Sequence, residues 1–251
     1  MAHGLYVPEH LSGVAADLAA WQLLLPPGGA FTHLTAAGLW GWWLPPLPDD
    51  LPVLAAVQHA QVRPKRPGIR TTRHRVTPPS VELDGLRVTT AAETLLACAA
   101  DLGLLDLLVL VDAALAAGSC TLEEVRAAAR ARRRGAPALR AATELADGRA
   151  ESAWETVLRL LHVVCEVEVV PQHEVRHDGL LLGRGDLWIR GTKTLQEYDG
   201  GDHLEAARHR DDLRRGRRLT RQGWRRNAYT SSDLVGRAVT VLRDADQALG
   251  R

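Results

Sequence analysis

The sequence predicts a mixed α/β (α+β) chain of two domains, on three observations. Strand-length apolar runs bounded by Gly, Pro and Asp alternate with longer runs of helical period. The second half reads helix, strand, strand, strand, helix, strand, helix, an αβββαβα order that suits a mixed sheet covered by helices. The character of the chain changes around Asp147-Gly148, so the expected domains are 1–147, mixed α/β, and 148–251. At 251 residues each half can bury a core of its own.

In the first half, 15–25 has a helical pattern stopped by Pro26-Pro27-Gly28-Gly29. Thr32 is placed to cap a second helix over 33–40, and 45–52 is a proline-rich loop. The β-like runs 53–62 and 69–76 flank Arg63-Pro64-Lys65-Arg66-Pro67-Gly68, which predicts a hairpin. From Thr89 the period becomes helical through Leu95-Leu96, 104–115 and 125–131, with Thr121 and Glu124 spaced as a capping box. The run from Arg130 to Gly135 breaks this pattern. Arg132-Arg133-Arg134 suits a solvated helix end better than a phosphate contact.

In the second half a helix is expected over 152–164, strands over 167–175, 180–189 and 193–198, a helix over 202–222, a strand over 224–229 and a helix over 233–249. Turns fall at His177-Asp178-Gly179 and Arg190-Gly191.

Composition narrows the function classes. With 31 Lys plus Arg against 30 Asp plus Glu, the net charge is +1, so the chain as a whole is not a basic nucleic-acid binder. Lys65 and Lys193 are the only lysines, and the abundance of arginine reads as codon bias unless it is concentrated locally. It is concentrated over 208–226, where nine arginines face Asp211 and Asp212 for a local charge of +7. There Arg208, Arg214, Arg215 and Arg218 are expected to contact DNA phosphates, giving salt-dependent and largely sequence-independent affinity. Cys98, Cys120 and Cys165 have no CxxC spacing and read as ordinary buried thiols. The start lacks a signal-peptide pattern and no long uncharged apolar run occurs, so the expected location is cytoplasmic, without a membrane partner.

The residues with chemistry lie in Arg184-Gly185-Asp186 and Lys193-Thr194-Leu195-Gln196-Glu197-Tyr198-Asp199-Gly200. Strand alternation puts Lys193, Leu195, Glu197 and Asp199 on one face, and Asp186 on the preceding strand can approach Glu197 across the ladder. Carboxylates gathered on one face need a compensating cation or proton. A hard divalent ion, Mg²⁺ or Mn²⁺, is the natural one, since it keeps waters and leaves room for a phosphate. Without it, Asp186 would cap a turn and Glu197 would sit exposed on an edge strand.

These motifs carry a resemblance. The stretch from Glu151 to Leu249, through Glu151-Ser152-Ala153-Trp154-Glu155, Asp186, Glu197-Tyr198-Asp199-Gly200, His203 and Gly223-Trp224-Arg225, resembles the restriction-endonuclease-like PD-(D/E)XK superfamily, and within it the Vsr-related nucleases. The resemblance implies that Glu155, Asp186 and Glu197 bind the metal. It puts Asp199 where the broader superfamily has lysine, and His203 where it could orient or deprotonate water. Glu151 is a rival for the helix carboxylate, Lys193 for a displaced ammonium, and Trp188 and Trp224 are either base wedges or core.

The first half, through Phe31-Thr32-His33-Leu34-Thr35-Ala36-Ala37, Leu39-Trp40-Gly41, 81–90 and Ala92-Glu93-Thr94-Leu95-Leu96, resembles the AbiEi-like antitoxin and regulator family. Of that family's winged helix only Gly4-Leu5-Tyr6-Val7-Pro8 matches, as a final strand. The expected function is therefore a metal-dependent DNA endonuclease or nickase, in repair or phage defence, with RNA sharing the same carboxylate requirement. The alternative is a non-catalytic DNA-binding regulator or antitoxin. A homodimer would cut both strands and a monomer would nick.

Overall fold

The computed structural model describes residues 14–200 and 206–251. The chain is mixed α/β and divides into two compact units, Met1–Gly148 and Arg149–Arg251. Gly4 to Pro8, the stretch matched to a winged-helix strand, lies outside the described residues.

In the first unit α1 (Val14–Gln22), β1 (Ala30–Phe31) and α2 (His33–Leu39) precede β2 (Val53–Gln58), β3 (Ile69–His74), β4 (Ser80–Leu83) and β5 (Leu86–Thr89). The strands form one sheet in the order β3-β2-β1-β5-β4. Leu18 and Trp21 of α1 pack with Phe31, Ala36, Leu86 and Val88. Four helices follow: α3 (Ala91–Cys98), α4 (Leu104–Ala116), α5 (Leu122–Ala129) and α6 (Ala136–Leu145), sharing a core of Leu95, Leu107, Leu110, Val125 and Leu139.

The hairpin expected from 53–76 does not form, because β2 and β3 run parallel, with Val53 opposite Ile69 and Gln58 opposite His74. Residues 59–68 therefore carry the chain back along the sheet edge instead of turning in place. The return is possible because β2 stops at Gln58, four residues short of the expected end. The loop that remains reaches up to about 33 Å, against roughly 20 Å for a six-residue strand. Pro64 and Pro67 suit such an extended return better than a tight turn. The tight hairpin is the one between β4 and β5, where Asp84 and Gly85 both take positive φ in a two-residue turn.

Thr121 and Glu124 form the expected capping box, with Thr121 Oγ1 accepting from the Glu124 amide and the Glu124 carboxylate accepting from the Thr121 amide. Thr32 occupies the N-cap position of α2, but its hydroxyl makes no cap bond and instead accepts from Thr89 of the sheet. The helix α6 was not anticipated, although Pro137 at its second position is a start signal. Its N-cap, Gly135, has φ +87°, and a Cβ there would lie 2.7 Å from the Leu96 carbonyl and 2.8 Å from the Ala100 amide nitrogen. Gly135→Ala is expected to cost about 2–4 kcal/mol through left-handed strain plus backbone overlap, read as a drop in melting temperature. Of the thiols, burial pushes Cys98 up to about 12 and the half-buried Cys120 up to about 11, whereas Cys165 is exposed, contrary to expectation.

The second unit runs α7 (Ala153–Val164), β6 (Val169–His177), β7 (Leu180–Ile189), β8 (Thr194–Tyr198), α8 (Ala206–Arg221), β9 (Arg225–Tyr229), α9 (Ser231–Gly236) and α10 (Ala238–Leu249). Its sheet order is β6-β7-β8-β9, antiparallel except for the parallel β8–β9 pair. Asp178-Gly179 closes the β6–β7 hairpin with both residues at positive φ. Leu158, Leu187, Tyr229, Leu234 and Val241 form the core that α7, α9 and α10 share with the sheet. Val175, Leu182, Leu195 and Leu219 form a second core that includes α8. The single final helix expected over 233–249 is two, broken at Arg237, with a Thr230–Asp233 capping box starting the first. Among the described residues no helix is long and apolar enough to cross a membrane.

Candidate active site

The expected carboxylates lie on β7, β8 and the start of α7, near enough for Glu155 and Glu197 to act electrostatically on Asp186. Ser152 caps α7 by accepting the Glu155 amide proton, which fixes Glu155 in the first turn. The Glu155 side chain is buried, and its Oε2 accepts from the Glu151 amide and from Nε2 of Gln172, both at 2.8 Å. Asp186, half-buried on β7, accepts the Tyr198 amide proton of β8 through Oδ2 at 2.8 Å. Burial raises its carboxyl to about 7, reinforced by the Glu155 and Glu197 carboxylates against the pull of the Tyr198 amide and Arg215. Asp186 is thus a carboxylate held among other carboxylates, the arrangement that asks for a cation or a proton.

Glu197 is 7% exposed, and both guanidiniums that reach it share one oxygen: Oε2 accepts from Arg215 at 3.0 Å and from Nε of Arg226 at 3.1 Å. Its Oε1 is buried with no hydrogen-bond partner. On the neighbouring part of the sheet, Gln172 Oε1 is likewise buried and unpartnered. Gln172 sits on β6 at φ +53°, a backbone twist that interrupts the ladder after Pro171 and re-aims the side chain.

Arg215 lies close along β7 because Gly183 has no side chain there; a Cβ would meet Arg215 Cγ at 2.8 Å. Its guanidinium also donates to the Arg184 carbonyl. Arg215 was expected to face DNA, but it is turned inward onto Glu197, which corrects that expectation. Arg214 and Arg218 are exposed, as expected, and with Arg217 and Arg221 they line a cavity of about 520 Å³ on α8. Of Arg208 only the helical backbone is described, and His203 lies outside the described residues.

The remaining candidates sort out by contact. Asp199 is exposed, and its amide donates to the Tyr229 carbonyl at 2.8 Å. Glu151 pairs with Arg184 at 2.8 Å on the surface and is no rival to Glu155. Lys193 donates to the Gln222 carbonyl at 3.1 Å, which takes its ammonium away from Glu197. Trp188 stacks on His173 at 4.2 Å and packs with Trp224 against the Leu195–Leu219 core, the structural role.

Among the described residues no three His, Cys, Asp or Glu side chains could together hold a metal ion, so the three-carboxylate set is not assembled as expected. One Glu155 oxygen is committed to the helix start and to Gln172, and one Glu197 oxygen to two arginines. What remains is a set of hard oxygens, Asp186, Glu197 Oε1 and Gln172 Oε1, of which two are buried and unpartnered. That set fits Mg²⁺, which needs only one or two carboxylates beside water and phosphate oxygens. Gln172 and Arg226 were not anticipated as site residues. Arg226 was one arginine among nine, and the turn of Gln172 depends on a backbone twist with no sequence signature beyond the preceding proline.

Comparison with family models, curated proteins and solved structures gives no match for this chain.

Proposed function

We propose that the unit Arg149–Arg251 is a metal-dependent endonuclease or nickase, acting on DNA in the cytoplasm and related to the Vsr-like branch of the restriction-endonuclease-like fold. The observation that carries this reading is Asp186, a carboxylate set among Glu155 and Glu197 with its proton affinity raised to about 7, in a unit where Glu197 and Gln172 each keep a buried oxygen without a partner. Asp186, Glu197 and Gln172 would hold Mg²⁺ or Mn²⁺, which supplies charge for the scissile phosphate and acidifies water. Arg215 and Arg226 share Glu197 Oε2 and leave its Oε1 for the ion. The exposed arginines of α8 would hold the nucleic-acid backbone.

One observation favours a second reading. Because Arg215 and Arg226 already neutralise Glu197, the fold needs no metal at that residue, and a non-catalytic DNA-binding regulator would be built this way. Supercoiled plasmid incubated with Mg²⁺ or Mn²⁺, with an EDTA control and with single-stranded DNA and RNA in parallel, separates the two. Metal-dependent nicking or linearisation is the expected result. Absence of cleavage on every substrate, with salt-sensitive binding retained, would give the regulator reading the ground.

A further inference from the structure

The first unit contains a cationic cavity lined by its own residues alone. It has a volume of about 270 Å³ and is lined by His33, Arg70, Thr72, His74, Asp101 and the arginines 73, 133 and 134. Its floor is His33. This residue takes φ +51° at the first position of α2, a conformation that costs a non-glycine residue about 1 kcal/mol or more. The strained backbone sets a side chain that is 11% exposed, with Nδ1 buried and unpartnered and Nε2 3.8 Å from Asp101. A buried polar nitrogen without a partner is costly unless a ligand or water completes it.

The walls carry surplus positive charge, and part of it is fixed in place. Arg70, Thr72 and His74 alternate along β3 and so share a face of the edge strand. Arg133 is clamped by the buried Glu93 carboxylate, with Nη1 and Nη2 each 2.7 Å from one of its oxygens, and Arg134 lies 3.4 Å from Asp101. With Arg73, which borders the cavity from the other face of the edge strand, four guanidiniums stand against two carboxylates, leaving two positive charges to be balanced. Burial keeps both imidazoles below their ordinary range; for His33, His74 and Arg70 add to this against Asp101, and for His74, Arg133 does so against Glu93. Each neutral ring retains one N–H donor and one acceptor.

We infer that this cavity binds a terminal phosphate, the phosphomonoester of a small molecule or of a nucleic-acid end. A phosphomonoester carries about −1.5 to −2 charge at neutral pH, which matches the surplus, and its three terminal oxygens suit forked guanidiniums and an imidazole N–H. The cavity is at the small end for ligand sites, so it fits the phosphate and its first attached group rather than an extended chain.

The test uses the full-length protein in EDTA, which keeps metal–phosphate binding in the other unit out of the measurement. Calorimetric titration with adenosine 5′-monophosphate, and with adenosine as control, measures the small-molecule source. Fluorescence anisotropy with a labelled thymidine tetranucleotide, 5′-phosphorylated or 5′-hydroxyl, measures the nucleic-acid source. Arg70→Gln with Arg73→Gln is expected to weaken phosphate-dependent binding by about tenfold or more. His33→Asn, which tolerates positive φ and changes no charge at neutral pH, should weaken it as well, while Arg126→Gln elsewhere in the unit should not. Binding of the monophosphate alone assigns the small molecule, and a preference for the 5′-phosphorylated tetranucleotide assigns the nucleic-acid end. Absence of phosphate-dependent binding with both probes, or wild-type affinity in the two folded site variants, would overturn the inference, whatever the outcome of the plasmid experiment.

Discussion

Asp186→Asn should yield a protein that melts at a higher temperature than the wild type at pH 8 and has lost its metal-dependent cleavage. The folded-state carboxyl is raised from 3.8 to about 7, so the folded protein holds a proton that the unfolded chain has released. Below about pH 4 both states are protonated and Asp186 contributes no difference. Between pH 4 and 7 the unfolded state ionises first, and stability falls as pH rises; above 7 the loss is complete and constant. The penalty at pH 8 is on the order of 2–4 kcal/mol, and asparagine removes it while its amide oxygen can still accept the Tyr198 amide proton. Thermal melts in EDTA from pH 4 to 8 should show the variant and the wild type converging at the acid end and separating toward pH 8. Added Mg²⁺ should stabilise the wild type at pH 8 and leave the variant unmoved.

Glu197→Gln is the companion with the opposite sign. It deprives Arg215 and Arg226 of their shared carboxylate, and because those guanidiniums are 28% and 22% exposed the cost is about 1–3 kcal/mol, below that of a fully buried pair. Both variants should lose cleavage by about a thousandfold, one with a gain in stability and one with a loss. A merely structural pair of carboxylates would not give equal activity losses with opposite stability changes. Wild-type cleavage in either variant would remove the residue from the mechanism.

What was legible in the sequence is what local chemistry decides. Thr121 with Glu124, and Asp178-Gly179 between two apolar runs, each act within a few residues, and each stands where the pattern put it. Failures came where a distant partner decides. The parallel pairing of β3 with β2 depends on where the 59–68 loop is led, and no residue in either strand encodes direction. Thr32 is an N-cap by position, yet Thr89, 57 residues away, takes its hydroxyl. The site follows the same division. Asp186 and Glu197 were visible as carboxylates on neighbouring strands, whereas the inward turn of Arg215 depends on the bare Gly183 of β7, and Arg226 reaches Glu197 only because β9 joins the sheet beside β8.

That inward turn divides the arginines of α8 into two groups with different expected behaviour. Arg214, Arg217, Arg218 and Arg221 recur at the three- and four-residue spacing that makes one stripe of a helix, and they line one cavity; Arg215 and Leu219 belong to the opposite, sheet-facing side. If the stripe contacts four phosphates, it contributes about 3.6 to the slope of log affinity against log salt for duplex DNA. A fourfold rise in salt, from 50 to 200 mM, should then cost the wild type about a hundredfold in affinity through these contacts. Replacing all four with glutamine, whose helix propensity is close to that of arginine, should remove that sensitivity and flatten the measured slope by about 3 to 4 without melting the helix. Arg215→Gln should leave the slope nearly unchanged and lower cleavage and stability instead, because its charge is spent on Glu197. Fluorescence anisotropy of a duplex across a salt series reads both. An unaltered slope in the quadruple variant would move the DNA-binding surface off this helix, and a large slope change in Arg215→Gln would mean that its contact with Glu197 opens when DNA binds.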